Sequence, residues 1–306
     1  MNIAAFHSNG KLLITGEYLV LDGALAMAVP TKFGQRLEVS LHEDFSGIRW
    51  EAKVLNKGWL QVNFGSRLFN IIHTNDQKLA LHLKGILKKA FELANISVDN
   101  QKGIKIRTNL DFDSNWGLGS SSTLFSNIGY WLDVNPLDLA NQTSNGSGFD
   151  VAAARSDKPI YYQLIDGEPK ITKVDFKPLF KKNLYFVHLG KKQNTSSSVN
   201  EYRKKVKAET KVVDDISILS EVIRTATSLI DFDKALKQHE EIISSLLGKP
   251  RIKHQYFNDF EGEIKSLGAW GGDFVLATSN NEEKDIRRYF KNKGIRTVMR
   301  YDDMVL

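Results

Sequence analysis

Asn115-Trp116-Gly117-Leu118-Gly119-Ser120-Ser121-Ser122-Thr123 lies between a predicted strand, Gly103–Leu110, and an apolar segment, Leu124–Leu132, whose pattern predicts a helix. Gly117 and Gly119 allow a tight turn and a close approach by a ligand, because neither carries a Cβ. The small hydroxyl residues that follow open the helix, where unpaired N–H groups and the positive end of the helix dipole favour an anion. Two readings stay open on this stretch alone: a phosphate cradle, or a glycine turn followed by a serine N-cap.

The rest of the chain narrows the chemistry. Its 306 residues suffice for two domains, and 42 Lys and Arg against 36 Asp and Glu give a net charge of +6. That balance favours acidic partners such as phosphorylated metabolites. The basic residues are dispersed among acids, which argues against a dedicated nucleic-acid surface; the densest group, Arg203-Lys204-Lys205-Val206-Lys207, reads as a solvated helix face. With no cysteine, disulfides, thiolate metal sites and cysteine nucleophiles are excluded. No leader and no apolar run of membrane-spanning length is read, so a cytoplasmic protein without a membrane partner is expected.

Lys11–Leu21 and Ala24–Val29 flank Asp22-Gly23 and read as a hairpin, with Gly16-Glu17-Tyr18 in its first strand. Taken singly, Lys11 reads as an exposed strand end and Glu17 as a surface residue. Gln35–His42, Ile48–Leu55 and Trp59–Phe64 read as strands, and Asp76–Asn95 as an amphipathic helix. Asn141–Asp150 is a Gly/Ser/Asn-rich loop ending in Asp150, itself a candidate N-cap. A composition shift near Lys177–Lys182 marks a domain boundary. Beyond it come a strand at Leu184–Leu189, a polar loop at Gly190–Ser198, helices around Asp214–Ile230, Asp233–Leu247 and His254–Leu267, and a Gly268–Asp273 turn. A strand at Phe274–Ala277, a helix at Glu282–Lys293 and a strand at Ile295–Arg300 close an α+β arrangement.

Several constellations are missing. No Walker-type loop is present, Ser122 stands where a dinucleotide fingerprint needs its third glycine, and no Gly-x-Ser-x-Gly elbow occurs. What remains is three Gly/Ser loops, one lysine and two acids in a fixed order.

In that order the chain resembles the GHMP kinase superfamily, which includes galactokinase, homoserine kinase, mevalonate kinase and phosphomevalonate kinase. The resemblance rests on Gly10–Ala24, on Asn115–Ser122, on Ser147-Gly148-Phe149-Asp150 and on Gly268–Phe274. It implies an α+β fold of two domains: residues 1–180 like ribosomal protein S5 domain 2 and holding ATP, and a ferredoxin-like domain over 181–306, with ATP bound between them. It also implies roles. Trp116, Gly117, Leu118, Gly119, Ser120, Ser121 and Ser122 would bind ATP, with Ser121 beside Mg2+. Asp150 would be the catalytic base, and Lys11 would offset developing charge. Glu17, Tyr18, Ser147, Gly148, Gly271 and Gly272 would line the site of a small anionic substrate. Lys191 or Lys192 would reach an anionic group or, more simply, stand exposed.

Departures from the pattern are Asn9 for a proline, Asn115-Trp116 before the phosphate loop, and Ser122 for alanine. A glutamate that some members use as second magnesium ligand has no clear counterpart, Asp138 being a weak stand-in. Within the family, Glu17–Asp22 and the Gly-Gly-Asp turn look most like phosphomevalonate kinase, so mevalonate or phosphomevalonate is the expected acceptor, in isoprenoid precursor synthesis. A catalytically silent nucleotide-binding protein and a diphosphomevalonate decarboxylase-like enzyme are the alternatives, and a homodimer stays open.

Overall fold

The computed structural model describes residues 3–66, 69–97, 102–143, 146–191, 195–205 and 208–306. Among these, the elements run β1 (Ile3–Thr15), a 3-10 turn (Leu19–Asp22), β2 (Ala26–Ser46), β3 (Ile48–Val54), β4 (Lys57–Phe64) and β5 (Ile71–Thr74). Next come α1 (Gln77–Leu93), β6 (Lys102–Leu110), α2 (Ser120–Leu132), α3 (Pro136–Thr143), α4 (Phe149–Ala154), β7 (Ile160–Ile165) and β8 (Glu168–Lys173). The last part holds β9 (Leu184–His188), α5 (Thr195–Lys205), α6 (Thr210–Thr225), α7 (Leu229–Leu247) and α8 (Ile252–Tyr256). It closes with β10 (Ile264–Ser266), β11 (Phe274–Thr278), α9 (Glu283–Asn292), β12 (Val298–Arg300) and α10 (Tyr301–Met304). None of the described helices is long and apolar enough to cross a membrane.

The chain forms two compact units: Met1–Gly10, Phe33–Ser114 and Leu118–Arg155 in the first, and Lys11–Lys32, Asn115–Gly117 and Ser156–Leu306 in the second. In the first, strands run in the order β5, β4, β3, β6, then the later part of β2. The β3–β6 pair is parallel, with Ile48 opposite Ile104, whereas β2 and β6 are antiparallel, with Gln35 opposite Leu110. Alternate residues of these strands (Leu37 and Val39, Ile48 and Trp50, Leu60 and Val62, Ile104 and Ile106) turn inward. There they meet Leu83, Ile86, Leu87 and Phe91 of α1 and Phe125 and Ile128 of α2, each a side chain whose burial contributes about 1.5–3 kcal/mol. Asp76 caps α1, accepting from the Leu79 N–H at 2.9 Å, as a serine- or aspartate-type start requires.

In the second unit the opening residues of β2 pair with β7, and β7 pairs with β8. A separate sheet runs β10-β11-β9-β12, all antiparallel. Tyr185, Val187, Ile264, Val275 and Ala277 from that sheet pack on Ile286 and Phe290 of α9.

Local expectations needed correction in several places. The first strand ends at Thr15 rather than Leu21, because Gly16 at φ 86° and Tyr18 at φ 61° turn the backbone into the 3-10 turn. Ala26–Val29, most of the expected Ala24–Val29 strand, and Gln35–His42 belong to one 21-residue strand that runs through Pro30. The loop expected from Asn141 begins later, since Asn141–Thr143 complete α3; Ser144 and Asn145 lie outside the described residues. His254–Leu267 is not one helix: α8 stops at Tyr256, and Ile264–Ser266 is a strand. Its apolar run is short enough to suit either element, and pairing with β11 decides it. A turn at Asp166-Gly167 leads straight into β8, a strand absent from the sequence reading.

Candidate functional site

In the second unit, Lys11 is the point where β1 meets the glycine loop. Its ammonium donates to the carbonyl of Gly117 at 3.2 Å, so the lysine of the first motif is tied to the first glycine of the second. Lys11 is therefore no free strand end. Gly117 sits at φ 67°, and a Cβ there would come within 2.8 Å of the Asp273 Cβ and overlap its carboxylate. Trp116 sets its ring edge-on to Phe274 with centroids 6.0 Å apart, and lies 6.2 Å from the His188 ring. Asn115 offers its carbonyl to His188 Nε2 at 3.3 Å. The unusual Asn115-Trp116 pair thus belongs to an aromatic cluster with β9 and β11.

The Gly268–Asp273 turn is the loop of the β10–β11 hairpin, closed by Leu267 N–H donating to Phe274 O at 3.1 Å. Gly271 takes φ 72°, and a Cβ on Gly272 would strike the Ala269 carbonyl, so both positions call for glycine. Tyr18 reaches this turn: its hydroxyl accepts from the Trp270 N–H at 3.0 Å. Burial raises the Tyr18 phenol above its ordinary value, so it stays protonated.

Glu17 is not on the surface. It is 1% exposed, and one carboxylate oxygen bonds the ammonium of Lys265, which is wholly buried. Lys265 also donates to Ser266 O at 2.9 Å. His239 completes this cluster: its Nε2 accepts from the Gly16 N–H at 3.0 Å and lies 3.4 Å from the second Glu17 oxygen. Since Nε2 accepts, the proton of neutral His239 sits on Nδ1. Glu240 accepts from the Ser266 N–H at 3.1 Å. Burial pushes Glu17 up despite the opposing Lys265 charge, pushes Glu240 up to about 8, and holds His239 well below 6.5. Nothing local in the sequence marks Lys265, His239 or Glu240; they converge from α7 and β10 only on folding.

In the first unit, α2 begins at Gly119, which takes φ 87° and ψ 49° and supplies no side-chain cap. Leu118 is buried, anchoring the turn. The three serines diverge. Ser122 is buried and its hydroxyl donates back to Gly119 O at 2.8 Å, Ser120 is half-buried, and Ser121 is exposed. The N-cap is therefore glycine, not serine, and it offers the first-turn amides of α2 no side-chain acceptor. Gly148 repeats the device at φ 90°, as N-cap of α4. Asp150 is the second residue of that helix rather than its N-cap; it is half-buried, and its Oδ1 accepts from the Val151 N–H at 3.1 Å. Ser147 is half-buried beside it. Helices α2 and α4 pack on each other.

The structure thus gathers Lys11, Trp116 and Gly117, and Glu17 and Tyr18 with the Gly268–Asp273 turn, in one unit. The other unit holds Ser120–Ser122 at the start of α2 and Ser147, Gly148 and Asp150 at the start of α4, two helices that pack on each other. Lys191 is exposed, with its ammonium 5.8 Å from the Tyr256 ring centroid; Lys192 lies outside the described residues.

Among the described residues no group of three or more His, Asp or Glu side chains is arranged to hold a metal. The donors at the α2 start are hydroxyls. Such a set suits magnesium that arrives on nucleotide phosphates, keeps most of its water and takes one protein oxygen, and it does not suit a protein-built metal cage.

No family model matches the sequence, and no curated protein matches it. The fold has clear neighbours among solved structures. The mevalonate kinase of Methanococcus jannaschii matches with a TM-score of 0.71 at 18% identity, over 98% of each chain. The phosphomevalonate kinase of Streptococcus pneumoniae, solved with phosphomevalonate and AMPPNP, matches at 0.71 and 15% identity, over 97% of this chain and 99% of that one. The galactokinase of Lactococcus lactis, complexed with galactose, matches at 0.67 and 14% identity, over 96% and 89%. The chain has the GHMP kinase fold.

Proposed function

We propose that this protein is a magnesium- and ATP-dependent kinase that transfers the γ-phosphate to the hydroxyl of a small anionic acceptor, mevalonate or phosphomevalonate, in isoprenoid precursor synthesis. The observation that carries the reading is the start of α2: in a GHMP kinase fold, a left-handed glycine opens a helix whose first-turn amides lack a side-chain cap. Residues 1–180 would supply the nucleotide-binding part and 181–306 the second domain.

Trp116–Ser122 would cradle the phosphates, and the exposed Ser121 hydroxyl would give magnesium its one protein oxygen. Magnesium, when bound, neutralises phosphate charge and orients the transferring group. Asp150 would take the proton from the acceptor hydroxyl, and Lys11 would offset negative charge developing on the transferred group. Most of the catalysis in such a transfer is positioning and charge stabilisation, which suits a site built from backbone amides, one lysine and one carboxylate. Tyr18, Ser147, Gly148, Gly271 and Gly272 would shape the acceptor site. Glu17, buried against Lys265, would hold the Gly16–Tyr18 segment in place from below.

The test is a panel of mevalonate, phosphomevalonate, homoserine and galactose with magnesium-ATP, read by ADP release. One acceptor is expected to turn over, and Asp150→Asn and Lys11→Met to lower kcat on it by about 10²–10⁴-fold. Nucleotide binding with no transfer to any acceptor would favour the silent reading instead, and carbon dioxide release from diphosphomevalonate the decarboxylase one.

A further inference from the structure

Helix α2 holds its first turn against the sheet with polar side chains where an alkyl core would serve for stability. Ser122, Thr123, Ser126 and Asn127 are all essentially without solvent exposure. Asn127 Nδ2 donates to the Gln35 carbonyl at 2.9 Å, and the Thr123 hydroxyl lies 3.1 Å from Gln35 Oε1. The buried Ser8 hydroxyl of β1 sits 2.9 Å from Asn127 Oδ1 and 2.7 Å from Ser126 Oγ.

Gln35 is itself fixed at the root of the glycine loop. It stands opposite Leu110, the last residue of β6, where the chain leaves the sheet. Next to it, Gly34 N–H donates to Asp111 Oδ1 at 2.6 Å, and Asp111 N–H returns a bond to Gly34 O at 3.2 Å. One residue of β2 thus grips α2 one turn and two turns into the helix, and its neighbour grips the strand end that feeds the loop.

Replacing paired polar groups by apolar ones of the same shape is close to neutral for stability, so cohesion alone does not require this network. Hydrogen bonds add direction. Alkyl contacts tolerate a small roll or slide of a helix, whereas an amide bonded to a carbonyl does not. A cradle of first-turn amides needs that precision, because a misplacement of about 1 Å is enough to cost roughly 10²-fold.

We infer that Gln35 and Asn127 are positioning residues for nucleotide phosphate binding: they set the roll and axial position of α2, and through them the aim of the Ser120–Ser122 amides. This inference rests on the kinase reading and assigns part of its site to the strand beneath it.

The test uses the full chain with Gln35→Met and Asn127→Leu, and titrates AMPPNP with magnesium by calorimetry. Gln35→Met keeps side-chain length and leaves no stranded donor, because the Thr123 hydroxyl is also bonded to Ser120 O at 2.9 Å. The expected result is a Kd raised about threefold or more in Gln35→Met and about tenfold or more in Asn127→Leu, equivalent to about 0.7 and 1.4 kcal/mol. Binding stoichiometry stays near that of the wild type. A merely structural role gives the opposite pattern, fewer competent molecules at an unchanged Kd, and that result overturns the inference even if one variant folds poorly. Should the wild type itself fail to bind AMPPNP, the kinase reading falls and this inference with it; binding by the wild type with unchanged Kd in both variants removes the inference alone.

Discussion

The ammonium of Lys265 and a carboxylate oxygen of Glu17 are bonded to each other with both side chains out of solvent. A buried pair of this kind gains little net stability, since the cost of desolvating both ions offsets their attraction. Removing one partner is another matter. Lys265→Met leaves the Glu17 carboxylate buried beside Glu240 with no cation at hand, and should cost about 3–5 kcal/mol. Adding Glu17→Met to that variant should recover most of the loss. Urea unfolding of the wild type, single and double variants measures both; equal loss in the single and the double would show that the charge imbalance is not the cause.

The same cluster predicts how stability changes with pH. Burial raises Glu240 to about 8 from 4.5, with Lys265, Glu17 and Arg251 the charges acting on it. Its folded-state value lies above the unfolded one, so its contribution is full at low pH and is lost as pH rises toward 8. Glu17, raised in the same direction, acts with the same sign. His239, held well below 6.5, acts the other way: the unfolded chain takes a proton below 6.5 that the folded one refuses, so stability falls on acidification. Below 6.5 the His239 effect opposes that of the two glutamates. Between about 6.5 and 8 the Glu240 effect is no longer offset by His239, and Glu240 contributes a slope approaching about 1.4 kcal/mol per pH unit at the lower end of that range. Glu240→Gln should flatten that decline, as measured by urea midpoints at pH 6.5, 7.25 and 8. A decline of the same slope in the variant would place its origin elsewhere.

Neither of these effects was visible in the sequence. Lys265 lies in Ile264-Lys265-Ser266-Leu267, an apolar run that reads as helix, and only its pairing with β11 turns it inward. Glu17 read as a surface residue because alternation along a strand assigns it a polar face; Gly16 ends that strand one residue earlier. What the sequence did carry were features written in consecutive residues. The glycine loop ahead of α2, the α1 apolar stripe and the Gly268–Asp273 turn depend on local backbone and periodicity and are found, whereas the N-caps of α2 and α4 are Gly119 and Gly148 where a serine and Asp150 were expected. Contacts between distant segments, such as Asn127 with Gln35 or Lys11 with Gly117, follow from topology, which no local pattern encodes.

Tyr18 links the first motif to the last through its bond with the Trp270 N–H. Tyr18→Phe keeps the ring, and with it the packing on Tyr202 at 5.2 Å between centroids, but removes the acceptor. The Trp270 amide is then left buried and unpaired, at about 1–3 kcal/mol. Because that cost falls on the turn holding Gly271 and Gly272, the acceptor KM should rise more than the ATP KM. Steady-state kinetics in both substrates separates the two. A rise confined to the ATP KM would detach this turn from the acceptor.

Gly117 joins three constraints in one residue: a φ of 67°, the Asp273 side chain against its Cα, and a carbonyl that accepts from Lys11. Gly117→Ala meets the first two at once. The left-handed backbone costs about 1–2 kcal/mol for a residue with a Cβ. The new methyl also overlaps the Asp273 carboxylate, so either Asp273 or the loop must move. Asp273→Ala in the same chain removes the carboxylate but leaves a Cβ within 2.8 Å of the new methyl, so relief should be partial. Any shift of the loop carries the Gly117 carbonyl away from Lys11 and disturbs the lysine with it. AMPPNP affinity should therefore fall about tenfold or more in Gly117→Ala, tenfold corresponding to about 1.4 kcal/mol, and recover only in part in the double variant. Calorimetric titration of the three proteins, with melting curves to establish that each is folded, decides it; full recovery in the double variant would leave the Asp273 clash as the whole effect and the left-handed backbone as none of it.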